Sequence, residues 1–333
     1  MKAMDSILGN APIKNYFRKS MEHQMISHAY IFEGEKGCGK KLLTRTFAKI
    51  LQCQSSDEKP CGTCTSCIQI EHGNHPDVIW VQHEKPQVIS VAEIREQVVN
   101  TVDIRPYKGP YKIYIIDEAE KMNIQAQNAI LKTIEEPAEY AILFLLTTNR
   151  GVFLPTILSR CITMSVKPVA TEQISRYLQE EKQIDPGMAD FYAGYSMGNL
   201  GKAIAISSSE EFREMREHAC GLLGRIHEMT PYELDEKVKE CKAYKARIAD
   251  YFDMIRLWFR DLLILKTTGN TERIVYRDAI SYLMQQERKI SLEESGKVFE
   301  RISDCERQIR ANVNYEAALD LLFLGIKRSF RTS

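Results

Sequence analysis

Gly34-Glu35-Lys36-Gly37-Cys38-Gly39-Lys40-Lys41 sets three glycines and a lysine at the spacing of a phosphate-binding loop. Gly34, Gly37 and Gly39 let backbone amides curl around phosphate oxygens, the helix that should follow adds its positive end, and Lys40 reaches the terminal phosphates. The eighth position of such a loop is Ser or Thr, whose hydroxyl helps to hold a magnesium ion; Lys41 stands there instead. Lys41 is cationic and carries no oxygen, so metal-assisted hydrolysis should be severely impaired. Retention of ATP or ADP without efficient turnover is the preferred expectation, and a plain glycine-rich turn is the alternative. Cys38, inside the loop, reads as a small residue fitting a tight turn rather than as a redox sensor.

A second pattern belongs to the same chemistry. Ile113-Tyr114-Ile115-Ile116-Asp117-Glu118 is an apolar strand that ends in two carboxylates. In a working centre the first would organise magnesium and the second would polarise the attacking water, which assigns those places to Asp117 and Glu118. Strand ends also finish in acidic residues for solubility alone, and the phosphate loop upstream is what makes the pair specific.

Cys53, Cys61, Cys64 and Cys67 form a third constellation, with Pro60 and Gly62 supplying a turn. Four thiolates in a short loop suit tetrahedral Zn2+, and a centre with four protein ligands leaves no vacancy for substrate, so the expected role is structural. An iron–sulfur cluster and unligated cysteines are the alternatives. His72, His75 and His83 lie nearby but are not needed as ligands.

The elements that must position these groups follow from hydrophobic spacing. Ala29–Phe32, Val78–Val81, Lys112–Ile116 and Ile142–Leu146 are nearly continuous apolar runs separated by helical patterns, which predicts a parallel sheet covered on both faces. Residues 1–165 therefore read as an α/β nucleotide-binding-like domain carrying the cysteine module at 53–67. After Val166-Lys167-Pro168 only helices are expected: a small helical domain over 166–208 and a helical domain over 209–333. Within the latter, Ile248, Tyr251, Phe252, Ile255, Trp258, Phe259, Leu262 and Leu263 make a helical stripe, and Val298, Phe299, Ile302, Cys305 and Ile309 make another. The last helix, 315–330, is apolar over much of its circumference and should be buried centrally or against a partner.

Composition narrows the classes. Lys plus Arg equals Asp plus Glu at 45 each, so net charge gives no reason for the whole chain to coat nucleic acid. A nucleic-acid binder built on the cysteine loop is further disfavoured because Lys59 is the lone basic residue between Cys53 and Cys67. No apolar run is long enough to span a membrane, and Met1-Lys2-Ala3-Met4-Asp5 lacks the apolar core of a signal peptide, which makes the cytoplasm the expected location. In that compartment a dense cysteine group reads as a metal centre rather than as disulfides.

Taken together, the motifs resemble one family. Ala126-Gln127-Asn128-Ala129-Ile130-Leu131-Lys132-Thr133-Ile134-Glu135-Glu136-Pro137, Leu154-Pro155-Thr156-Ile157-Leu158-Ser159-Arg160-Cys161 and the cysteine loop with His75-Pro76-Asp77 look like the AAA+ subunits of the bacterial sliding-clamp loader of DNA polymerase III. The resemblance runs from about Ile7 to Ala203, with a weaker helical likeness beyond. It implies an AAA+ parallel-sheet domain, a helical lid and an all-α collar. It implies partners as well: gamma or tau and delta subunits in a ring-like pentamer, and through that ring a sliding clamp and primed DNA. In this family the Ser-Arg-Cys motif supplies an arginine finger to ATP on the neighbouring subunit, which here is Arg160; a solvated arginine or an internal ion pair is the plain alternative. Thr147-Thr148-Asn149 falls in the first sensor region. Gly201 falls where active members carry a lid arginine, with Lys202 beside it as a poor substitute, a loss independent of Lys41. Two losses favour the delta-prime kind over the ATP-hydrolysing gamma or tau kind, with little or no catalysis of its own. An autonomous ATPase of the same fold, such as a helicase loader, is the rival.

Overall fold

The computed structural model describes Met4, residues 7–56 and residues 59–330. Of the amino-terminal residues read above for a signal peptide, all but Met4 lie outside the described residues, as do positions 57 and 58 of the cysteine segment and 331–333 of the last domain. The chain folds as two compact units, one of Met1–Ala170 with Gly198–Gly201, the other of Thr171–Met197 with Lys202–Ser333.

The first unit runs α1 (Ala11–Glu22), β1 (Ala29–Glu33), α2 (Lys40–Gln52), α3 (Thr65–Glu71), β2 (Val78–Trp80), α4 (Val91–Ile94), β3 (Lys112–Ile116), α5 (Ile124–Glu135), β4 (Ala141–Thr147), α6 (Pro155–Leu158) and β5 (Ile162–Ser165). The strands form one parallel sheet in the order β2-β3-β4-β1-β5. Strand periodicity sends alternate residues to opposite faces. Tyr30, Phe32 and Phe144 therefore pack on one side with Phe17 and Phe47, while Ile31, Leu143 and Leu145 pack on the other with Ile130 and Ile134. Both faces are covered, which is why β3 and β4 are buried along their whole length. This is the parallel sheet covered on both faces that the apolar runs predict. β5 was not foreseen because only Met164 among its residues is buried, so it offers no continuous apolar run.

Local chemistry sets the helix boundaries that matter to the site. Asn123 caps α5 by accepting from the Ala126 amide at 2.8 Å, and the helix stops just ahead of Pro137. Ser90 and Glu93 form a reciprocal capping box that starts α4, which continues as one π-helical turn over Arg95–Val99.

The second unit is helical: α7 (Thr171–Lys182), α8 (Pro186–Tyr195), α9 (Leu200–Ser207, whose first two residues belong to the other unit), α10 (Glu210–Arg225), α11 (Pro231–Glu240), α12 (Ile248–Thr268), α13 (Ile280–Glu287), α14 (Leu292–Arg310) and α15 (Tyr315–Arg328). The stripe read on α12 is its core face, with Tyr251, Phe252, Ile255, Trp258, Phe259 and Leu262 all buried. Buried Gln286 on α13 accepts from the Trp258 indole at 2.9 Å and donates to the carbonyls of Leu223 and Gly224 on α10 at 2.6 and 3.0 Å, so one amide ties three helices. Asp261 is fully buried and accepts from the Val275 and Tyr276 amides; burial pushes its carboxyl up to about 6. On α15 Leu319, Leu322, Phe323 and Ile326 are buried, whereas Leu321 stays 64% exposed. Among the described residues no helix is long and apolar enough to cross a membrane.

Candidate functional site

The loop between β1 and α2 has the backbone that its glycines permit: Gly37 and Gly39 sit at φ of 86° and 100°, in the left-handed region that side chains disfavour. α2 begins immediately after Gly39, so its amino terminus faces the loop. Lys40 is folded inward, 9% exposed, and its ammonium donates to the carbonyls of Gly34 at 2.5 Å and Glu35 at 2.9 Å. Burial pushes the Cys38 thiol up, and a Cβ on Gly34 would lie 2.8 Å from its sulfur, so Cys38 packs into the turn as a small residue.

Lys41 points the other way. Its ammonium lies 2.5 Å from an oxygen of Asp117, the first carboxylate beyond β3. Glu118, held at φ 48°, pairs with Lys121 at 2.5 Å, and this hydrogen bond holds the Glu118 carboxyl below its usual range. Both carboxylates of the expected metal centre thus already face ammonium groups. Magnesium demands close oxygen ligands in octahedral geometry. Here the loop's hydroxyl is missing and a cation occupies the Asp117 side, so the residues present do not fit Mg2+.

The far side of the loop is met by the turn at residues 198–201. Asn199 donates its side-chain amide to the Lys36 carbonyl at 2.7 Å, and the Gly201 amide donates to the Gly37 carbonyl at 3.1 Å. A Cβ at Gly201 would fall 2.6 Å from that oxygen and 3.1 Å from the Gly37 Cα. Backbone would have to move for any side chain to enter, so an arginine at this position is incompatible with the present contact. Glycine at position 201 is therefore a packing requirement of this turn. Lys202 lies 4.4 Å over the Tyr195 ring. At the end of β4, buried Thr147 exchanges hydrogen bonds of 3.1 Å with the Asn149 backbone, and Thr148 donates to Glu120 at 2.7 Å.

Arg160 follows α6 on an exposed turn. One guanidinium nitrogen lies 3.1 Å from Glu135 at the end of α5, and another donates to the Thr156 carbonyl at 3.1 Å. Both side chains of the ion pair are about two-fifths exposed. Glu135, in the segment singled out by resemblance, was not foreseen as its partner, because only the fold brings the two positions together.

The four cysteines converge. One sulfur from each of Cys53, Cys61, Cys64 and Cys67 lies within 4.8 Å of the other three. The amides of Cys61, Cys64 and Cys67 point at the sulfurs of Cys53, Cys61 and Cys64 at 3.3, 3.3 and 3.5 Å. Such donors stabilise thiolate: the Cys64 amide, with Thr63, pulls the Cys61 thiol down to about 6, while burial pushes Cys67 up to about 12. This donor set fits a soft, four-coordinate cation such as Zn2+ and leaves no open position for chemistry. The purified chain is expected to carry zinc in roughly equimolar amount, read by metal analysis. Cys64→Ser should lose the metal and lower Tm by a few degrees, at roughly 2–4 °C per kcal/mol lost, whereas Cys38→Ser should keep it. A chelator-treated chain with unchanged Tm would remove the metal from the structural account.

Asp77 stands in the motif quoted above, but its role appears only in the fold. Asp77, 2% exposed, accepts from three successive amides: Tyr107 at 2.6 Å, Lys108 at 2.7 Å and Gly109 at 3.0 Å. His75, also buried, accepts from the Asp77 amide through Nδ1 at 3.1 Å rather than joining the cysteines. His83 likewise bonds locally, to the Lys85 carbonyl.

Comparison with known proteins gives a consistent result. A family model described as "DNA polymerase III, delta subunit" matches residues 9–170. The chain is similar to the DNA polymerase III subunit delta' of Bacillus subtilis, 28% identical over 92% of this chain and 93% of that protein. It is similar also to the Bacillus subtilis subunit tau, at 27% identity over 96% of this chain and 56% of the relative, and to the Haemophilus influenzae subunit tau/gamma, at 35% over 53% and 25%. It thus spans nearly all of the delta' relative but only a part of the tau proteins. The chain is thus similar to the delta', tau and gamma subunits of bacterial DNA polymerase III, the family that its sequence resembles.

Proposed function

We propose that the chain serves as a delta-prime-type subunit of a clamp loader, working in the cytoplasm beside gamma or tau and delta subunits to place a sliding clamp on primed DNA. In this reading its own phosphate loop holds nucleotide without turning it over, while Arg160 reaches ATP bound by the neighbour. Residues 166–208 then act as a lid and 209–333 as the collar that joins the ring, with exposed Leu321 among the residues a neighbour would cover. The observation that carries the reading is the Lys41–Asp117 contact of 2.5 Å, which puts an ammonium where hydrolysis needs a metal ion. Guanidinium suits the trans role because it is permanently charged and offers a planar fork for phosphate oxygens. The full chain, purified alone, is expected to show negligible Mg-ATP turnover, yet to be required for DNA-stimulated turnover when mixed with the other loader subunits. Brisk turnover by the chain alone, abolished by Lys40→Ala, would replace this reading with an autonomous ATPase.

A further inference from the structure

We propose that the Lys41 ammonium is the resident cation of the phosphate loop: it takes the place of Mg2+ at Asp117 and excludes the metal from any nucleoside diphosphate that enters. The inference rests on the reading of this loop as a nucleotide element and goes beyond a missing hydroxyl. Loss of an oxygen ligand would only weaken a metal site; the structure shows an opposing charge set into it. Lys41 occupies the motif position of the hydroxyl and reaches Asp117 at 2.5 Å, while Lys121 takes Glu118 at 2.5 Å. A divalent ion approaching Asp117 meets like charge at close range and must displace the ammonium from its carboxylate. Lys40 is held inside the loop by the Gly34 and Glu35 carbonyls, and exchanging these for phosphate oxygens would let it neutralise a diphosphate without a metal. The site has kept two cations and substituted an organic one for the inorganic one.

Lys41 is well exposed at the start of α2, so changing it disturbs no core. The test measures binding of fluorescent ADP to the full chain with Mg2+ and with EDTA. For the unmodified chain Mg2+ should change the affinity less than about twofold. In Lys41→Thr, which restores a hydroxyl and frees Asp117, Mg2+ should tighten binding by about tenfold or more, and Lys41→Thr/Asp117→Asn should lose that response. Tightening by Mg2+ in the unmodified chain would overturn the proposal, as would a folded Lys41→Thr chain indifferent to the metal. Neither result bears on whether Arg160 acts across a subunit boundary, which is read separately from turnover of the assembled loader.

Discussion

On the proposed trans role, replacing Arg160 with alanine in a reconstituted loader is expected to slow ATP turnover at the adjoining site by about 10³-fold, the lower end of what an arginine supplied in trans contributes to phosphoryl transfer. The prediction follows from position and partnership together. Arg160 sits on an exposed turn beyond α6, and its guanidinium is tethered by Glu135 and the Thr156 carbonyl rather than locked in a core. An exposed pair of this kind contributes about 0–1 kcal/mol, so exchanging Glu135 for a phosphate costs little. Glu135→Gln should therefore leave turnover nearly unchanged or slightly raised, which separates a delivered arginine from one needed to brace the turn. Arg160→Lys keeps the charge but loses the planar fork, and should recover only part of the rate. The effect belongs in kcat more than in KM, because a guanidinium acting in trans would stabilise charge that develops only in the transition state. Loaders sum several sites, so single-turnover measurement is the decisive form. Unchanged turnover and clamp loading by the Arg160→Ala complex would take this residue out of the mechanism.

Much of the site was legible because each motif carries its chemistry in adjacent positions. The run from Gly34 to Lys41, the acidic end of β3 and the cysteine spacing each set their residues in adjacent positions, and strand and helix periodicity place them. The apolar runs also gave four of the five strands, since a strand buried on both faces needs continuous hydrophobicity. What stayed hidden depends on contacts distant in sequence. Lys41 reads as a missing hydroxyl in the chain but as an occupying cation in space, because its distance to Asp117 is set by the pairing of β3 with β4 and of β4 with β1. Gly201 reads as a lost arginine, yet its backbone seat against Gly37 appears only when residues 198–201 return to the loop. Partly exposed β5 lacks a period strong enough to announce itself. Asp77 is the extreme case: its three donors lie about thirty positions onward in an irregular segment, where no spacing rule operates.

For that reason Asp77 is also the most sensitive structural test of the first unit. Its carboxylate gathers the amides of Tyr107, Lys108 and Gly109 and fixes the approach to β3, while its own carbonyl accepts from the Ile113 amide at 2.8 Å. The segment it organises reaches toward the cysteines: Lys108 donates to Gln69 on α3 at 3.1 Å, and Gln52 at the end of α2 donates to the Tyr111 carbonyl. A Cβ at Gly109 would overlap the Gln52 side-chain amide, which would have to move away from the Tyr111 carbonyl. In Asp77→Asn one acceptor becomes an NH2 group that faces N–H donors. Whichever way the amide turns, one or two backbone donors lose their acceptor, at about 1–3 kcal/mol each. A total near 3 kcal/mol corresponds to a Tm lower by roughly 6–12 °C for a unit of this size. Hydrogen exchange at Tyr107, Lys108 and Gly109 should accelerate first, and a chelator should then strip the cysteine centre faster, because Gln69 loses its tie to a fixed Lys108. Gln69→Ala should show the second effect without the first. Native protection of those three amides in Asp77→Asn would mean that the segment is held by packing against Gln52 and not by the buried carboxylate.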